Sequence, residues 1–290
     1  MSTATTNNTS DISKASGTTA GGPVRPSAAP PRKVTQARVV LSEWTKLRSL
    51  RSTGFSMLAT VVFIVGLAVL VPSVTVAHWP PHDAREAAGF DPTSRSLAGI
   101  FLAQLAVGVL DVLLITGEYA TGMIRATLAA VPSRLPVLWA KAIVFAAVTL
   151  VVTLPSVMGA FLIGQSILKG KNLQAGLGYP GVLRAVLGAA LYLTVVGLLG
   201  LGLGALLRNT AGAISALFGV LFVLPIIVRF LPSSWSDPID KYLPSTVGEA
   251  VTHVHVDPAA LGPWTGFGLF CAYAALVLLL AAVRLRRRDA

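Results

Sequence analysis

Six long apolar runs, each close to the length that a helix needs to cross a lipid bilayer, dominate this sequence. A bilayer core takes roughly 20 residues of helix. The runs extend over about 54–77, 97–116, 142–164, 185–207, 211–228 and 264–283, and Asp111 is the one acidic or basic residue inside them. Charged residues make up 12% of the chain, against about 25% in soluble domains. We therefore expect an all-α polytopic membrane protein with six transmembrane helices.

The residues before the first run have a different composition. Positions 1–34 are rich in Ser, Thr, Ala, Gly and Pro and contain almost no large apolar side chains. Such a segment cannot bury enough surface to offset the entropy that is lost on ordering. We expect a disordered cytoplasmic tail over 1–34 and a transmembrane domain over 35–290.

Basic residues are shared unequally between the two sides of the predicted membrane domain. Six spans place both termini on one side, and that side holds 16 of the 23 Lys and Arg residues, against 7 on the other. Because positively charged loops stay in the cytoplasm, we expect both termini to be cytoplasmic and the protein to lie in the plasma membrane. The net charge of +11 is then an orientation signal, and no nucleic-acid partner is expected. The bias toward Arg over Lys suggests a bacterial host.

A basic segment, RVVLSEWTKLRSLR, precedes the first run. Val40, Trp44 and Leu47 fall on one helical stripe among basic residues, a pattern typical of a short interfacial helix on the inner leaflet. A positively charged flank that only sets orientation is the alternative. The candidate residues of the interfacial helix are Trp44, Lys46, Leu47 and Arg48.

A second informative segment, GEYATGMIRATLAAVPSRLPVLWAK, follows the second run. Ile124, Leu128 and Val131 recur on one face of a short helix, which Pro132 is expected to end. We also expect Pro136 to prevent a long helix from forming before the third span. A short amphipathic helix here could dock into a groove on a partner or rest on the membrane.

At these segments the chain resembles the ABC-2 type permeases, the membrane-spanning subunits of ATP-binding-cassette exporters. The resemblance covers about Thr35 to the C-terminus and rests on EWTKLRSLRST, on GEYATGMIRATL with the following PSR, and on six spans with both ends inside. It implies an interfacial elbow helix before the first span. It also implies a coupling helix, after the second span, that sits in a cleft of the ATPase subunit.

The resemblance also assigns residues and partners. It implies an ATPase-coupling loop that contains Glu118, Tyr119, Gly122, Arg125, Ala126, Thr127, Leu128 and Arg134, with the contact itself at 125–128. It further implies a separate ATPase subunit that binds ATP and Mg²⁺, a second permease copy in a homo- or heterodimer, and export. The apolar lining of the spans is compatible with a hydrophobic or amphipathic substrate.

Nucleotide hydrolysis is not expected of this chain itself. The Gly170–Lys171 pair is followed by Asn172 and lacks the Ser or Thr and the upstream glycine of a phosphate-binding loop. No catalytic set such as Ser-His-Asp or H-E-x-x-H is recognised, and the histidines match no metal-site spacing. The chain is therefore expected not to be an enzyme and to bind no cofactor or metal of its own.

Asp111 is the intramembrane polar candidate. A carboxylate within a span costs roughly 2.5 to 3.5 kcal/mol at mid-helix and is treated as functional by default. It could be a substrate contact or a proton-relay group, or it could form a structural pair with a basic group. Two other functions therefore stay open: a self-sufficient proton-coupled secondary transporter that uses Asp111, and an accessory membrane subunit without a translocation pathway.

The fourth run carries glycines at the spacing that favours close helix packing. Gly200 and Gly204 form a small-xxx-small pair, which lets neighbouring helices approach closely. We expect them to serve packing or bending, with a dimer face as the alternative.

Overall fold

The computed structural model describes residues 35–49, 51–81, 89–123, 134–256 and 260–287. Its longer helices are Gln36–Ser49, Arg51–Ala77, Ile100–Ala120, Arg134–Leu168, Val182–Leu207 and Pro263–Arg287, and a further one consists of Thr210–Phe218, a π-helical turn Gly219–Val223 and Leu224–Arg229. The shorter helices are Pro92–Ser96, Ser233–Asp240 and Pro244–Glu249, with 3₁₀ turns at Lys169–Lys171 and Ala250–Thr252. The described ranges contain no strand, which confirms the all-α prediction. The predicted tail, 1–34, lies outside them.

Six helices of the described residues are long and apolar enough to cross a membrane. They are named here the first to sixth spans in chain order, and Gln36–Ser49 is named the basic helix. Five of the spans begin and end within four residues of their predicted runs, whereas the third is longer and extends over Leu135–Lys171.

Pro136 lies near the start of the third span, and residues 124–133 lie outside the described residues, so the expectation that it prevents a long helix before this span stays a prediction. The helix that contains the third span begins at Arg134, and Pro136 occupies its first turn. A proline is tolerated there because the first N–H groups of a helix have no intrahelical acceptor.

The fourth span forms the centre of the bundle. In its most apolar stretch 78% of the residues are buried, against 22% in the corresponding stretches of the first and fifth spans. Three of its glycines, Gly197, Gly200 and Gly204, face the second span, and a Cβ added at Gly200 would lie 2.6 Å from the backbone oxygen of Gly108. Gly202 faces the sixth span instead. The small residues of the fourth span therefore serve helix packing within the chain, as expected.

The basic helix lies against the start of the third span. Its buried face consists of Val39, Glu43 and Leu47, which are spaced four residues apart. Trp44 is 46% exposed and lies off that face, so the predicted stripe is divided between the interior and the surface. An exposed tryptophan on such a helix is the kind of side chain that favours the lipid headgroup layer.

The segment between the fifth and sixth spans folds into short helices rather than an open loop. Val247 and Val251 are buried, and Val251 packs over Gly188 of the fourth span. The segment is thus fixed to the centre of the bundle at the end that lies away from the basic helix.

Candidate functional site

Three helices that are distant in sequence meet at one end of the bundle. They are the basic helix, the last turn of the second span and the first turns of the third span. The segment that the sequence predicts to be the coupling loop connects the second of these to the third. This end of the molecule is named the basic end.

A cluster of four charged side chains joins the three helices. Lys141 Nζ donates to Glu43 Oε2 at 2.5 Å and to Glu118 Oε1 at 2.8 Å. Lys46 Nζ donates to Glu43 Oε1 at 2.7 Å and lies 3.7 Å from Glu118 Oε1. These four residues, named here the ion cluster, balance two positive charges against two negative ones.

Because the ion cluster is buried, its contacts affect the stability of the fold. Lys141 and Glu43 are each 2% exposed, and a buried charge without its partner is costly. Burial by itself would raise the pKa of Glu43, but the neighbouring Lys141 and Lys46 together hold that pKa below its ordinary value. The Glu43 carboxylate is therefore ionised at neutral pH, and each lysine has a negative partner.

The predicted coupling loop starts beside the ion cluster. The guanidinium of Arg208, from the turn between the fourth and fifth spans, lies 5.1 Å from the ring centre of Tyr119. Gly122 has a φ of 71°, a left-handed conformation that suits glycine and follows the end of the second-span helix. Arg134 begins the helix of the third span. The remaining candidates of the loop, Arg125, Ala126, Thr127 and Leu128, lie outside the described residues.

The residues predicted for the interfacial helix are divided between two environments. Lys46 belongs to the ion cluster and Leu47 is buried, whereas Trp44 and Arg48 are exposed. The helix therefore presents one face to the protein and another to its surroundings.

Buried polar residues repeat along the second span at intervals of seven. Gln104, Asp111 and Glu118 are all buried. Seven residues correspond to nearly two turns of α-helix, so the three side chains lie along one stripe of the second span. Gln104 Oε1 accepts a hydrogen bond of 2.5 Å from the hydroxyl of Tyr192 in the fourth span, and Glu118 belongs to the ion cluster.

Asp111 differs from the other two members of this row. In the part of the chain that the structure describes, neither a hydrogen bond nor a salt bridge reaches its carboxylate. It packs against Gly197 of the fourth span, where an added Cβ would overlap the carboxylate oxygen. The structural pair with a basic group is not found among the described residues, so Asp111 stays a hypothesis for a functional residue.

A cavity of about 410 Å³ lies beside the ion cluster. Its walls are mostly apolar and include Leu110, Leu113 and Leu114 of the second span, and its charged lining is the ion cluster itself. Glu118 Oε2 is buried and has no hydrogen-bond partner among the described residues. The basic end thus combines an apolar cavity with a compact charged group, an arrangement that suits an amphipathic ligand.

The chain matches no protein-family model and no curated protein. The contacts of the basic end and of the second span are therefore the basis for a functional assignment. Sequence reasoning placed neither Glu43 nor Lys141 in the site, and it missed Gln104 and Tyr192 altogether. A repeat of seven between Gln104, Asp111 and Glu118 was the signal that could have shown a polar face on an otherwise apolar helix.

Proposed function

We propose that this chain is the permease subunit of an ATP-binding-cassette exporter. The observation that carries this proposal is the ion cluster, which ties the second and third spans to one another and to the basic helix. These two spans bracket the loop that resembles the ATPase-coupling loop of the ABC-2 type permeases. A displacement of that loop would move three helices together, because breaking a buried charged contact costs about 3 to 5 kcal/mol.

The proposed transport cycle uses these contacts to couple ATP to movement of the spans. ATP and Mg²⁺ bind to a separate ATPase subunit on the cytoplasmic side. The positive charge of the basic end favours a cytoplasmic location for that end. Closure of the ATPase presses on the loop, and the ion cluster passes the displacement to the bundle of one permease copy in a dimer. Binding energy then selects one arrangement of the spans over another. The apolar cavity beside the ion cluster favours a hydrophobic or amphipathic substrate.

A pull-down of the tagged full-length chain from detergent-solubilised membranes tests this function. We expect a stoichiometric partner with ATPase activity, and we expect that partner to be lost when Arg125 and Leu128 are both replaced by alanine. The matched control replaces Lys171 and Leu177, which are exposed at the opposite end of the third span. Recovery of the chain alone, or equal retention of the ATPase by both double variants, would contradict the proposal.

A proton-coupled secondary transporter is the second candidate function, and Asp111 favours it. A buried carboxylate without a partner, halfway along a span, is the kind of group that carries protons through a membrane. Under this candidate, Asp111→Asn abolishes gradient-driven uptake into liposomes that contain the chain alone. Under the first candidate, the chain alone shows no such uptake, and Asp111→Asn leaves the ATPase partner bound.

A further inference from the structure

A second cavity, of about 540 Å³, lies at the end of the bundle away from the ion cluster. It is bounded by the second span, the fifth span and the segment that joins the fifth and sixth spans, and it is named here the distal cavity. Phe101 in its wall and Glu118 in the ion cluster are 17 residues apart in one helix, or about 25 Å along its axis. The volume lies within the range of about 300–1,000 Å³ that is typical of ligand pockets.

The walls of the distal cavity differ in character. One wall is apolar and consists of Phe101, Leu221, Phe222, Pro225 and Ile226. The other carries charged and titratable groups, namely Arg229, Asp240, Glu249, His253 and His255. A cavity that is apolar on one side and charged on the other matches a molecule with an apolar body and a polar head.

The apolar wall is built at an irregular part of the fifth span. The Phe101 and Phe222 rings meet edge to face, with their centres 5.3 Å apart. The span is π-helical over Gly219–Val223, and Pro225, which has no N–H to donate, is the second residue after this turn. Single π-helical turns inside α-helices are frequent at functional sites. This turn contributes Leu221 and Phe222 to the cavity wall.

The charged wall favours a cation. Among the described residues, two carboxylates, Asp240 and Glu249, line the cavity, and Arg229 is the single Lys or Arg side chain in its wall. Burial lowers the pKa of His253, against a smaller opposing effect of Asp91, so His253 is neutral at neutral pH. Burial raises the pKa of Glu249, while the positive charge of Arg229 partly offsets that rise. A positively charged ligand group would relieve the cost of burying this carboxylate.

We infer that the distal cavity binds an amphipathic molecule whose head carries an ammonium group. Its apolar body lies against the phenylalanine wall, and its ammonium group donates hydrogen bonds to Glu249 and Asp240. One charge-assisted hydrogen bond that an otherwise identical alcohol does not make should favour the amine by about tenfold. The inference rests on the proposed function only in identifying this ligand as the exported cargo, because the residues that would hold the ligand all belong to this chain.

Photo-crosslinking of the full chain, without any partner, in phosphatidylcholine nanodiscs tests the inference. The probes are a decylamine, a decyl alcohol and a decyl sulfate that carry the same diazirine at the chain end, and labelled peptides are mapped by mass spectrometry. We expect the amine to label the peptides that contain Phe101 and Phe222 at about tenfold lower concentration than the alcohol. Glu249→Gln should reduce that preference, since Asp240 alone then remains to accept from the ammonium group, whereas Asp237→Asn, an exposed acid outside the cavity lining, should leave it unchanged.

Three outcomes would overturn the inference. They are equal labelling by the amine and the alcohol, preferential labelling by the sulfate, and a preference for the amine that is as large in Glu249→Gln as in the unaltered chain. Asp240→Asn replaces Glu249→Gln if the latter fails to fold. A competitor arm separates the sources of the ammonium group: displacement by phosphatidylethanolamine indicates a lipid head, and displacement by free alkylamine alone indicates a soluble amphiphile. Because no ATPase is present, failure here leaves the pull-down result unaffected.

Discussion

Replacement of Lys141 by methionine is the most direct test of the ion cluster. Methionine is unbranched and only one atom shorter than lysine, but it removes the charge that contacts Glu43 at 2.5 Å and Glu118 at 2.8 Å. Lys46 cannot replace it, because Lys46 is 29% exposed and lies 3.7 Å from Glu118. The variant therefore keeps buried carboxylates with too little positive charge, and removing one partner of a buried pair costs about 3 to 5 kcal/mol.

Thermal unfolding of the detergent-solubilised chain, followed by size-exclusion chromatography of heated samples, measures this loss. A change of 1 kcal/mol shifts the Tm of a domain of this size class by about 2–4 °C, so we expect Lys141→Met to lower the Tm by roughly 6 to 20 °C. Lys46→Met is the matched control. A partly exposed pair contributes about 0 to 1 kcal/mol, so its Tm should fall by no more than about 4 °C.

The dependence on pH separates a charge effect from a packing effect. In the unaltered chain the pKa of Glu43 lies below its ordinary value, so its contribution to stability is present above that ordinary value and is lost only as the pH falls through the lowered pKa. In Lys141→Met burial dominates and raises the pKa of Glu43, so acidification stabilises the variant. The difference in Tm between the unaltered chain and Lys141→Met should therefore become smaller as the pH is lowered from about 7.5 to about 5. Equal losses in the Lys141 and Lys46 variants, or a difference that widens on acidification, would refute the reasoning.

Two further predictions concern the interface between the second and fourth spans. Gly200→Ala should lower the Tm in the same assay because the added Cβ would meet the backbone of Gly108. Gly159→Ala is the control, because Gly159 has open space around it, and it should leave the Tm unchanged or raise it slightly. Equal effects of the two variants would contradict the close approach of the two helices. Tyr192→Phe should cost about 1 to 3 kcal/mol because the buried Gln104 loses its donor, and an unchanged Tm would show that the hydrogen bond does not stabilise the bundle.

The six spans could be predicted from the sequence because apolar length is a local property. A run of about 20 apolar residues is visible without knowledge of its neighbours. The third span shows the limit of that approach, since its apolar run predicts a span over 142–164 whereas the helix extends over Leu135–Lys171.

The ion cluster could not be predicted in the same way. Glu43 and Lys141 are 98 positions apart, and their side chains meet only because the basic helix packs on the third span. In the sequence, Lys141 counts as one of the many positive charges that flank the spans and set orientation. The sequence does not distinguish a lysine that flanks a span from a buried one, and the 2% exposure of Lys141 follows from the tertiary packing alone.

The second span connects the two ends of the molecule, and this suggests how they would act together in the proposed transport cycle. Its first turns line the distal cavity through Phe101, and its last turn holds Glu118 in the ion cluster. Between them it packs closely on glycines of the fourth span, with Val107, Asp111 and Ile115 seated against them. A shift of this helix, driven at the basic end, would therefore alter the distal cavity at the same time. Asp111 lies midway on that interface, so its contact with Gly197 must change whenever the two helices slide.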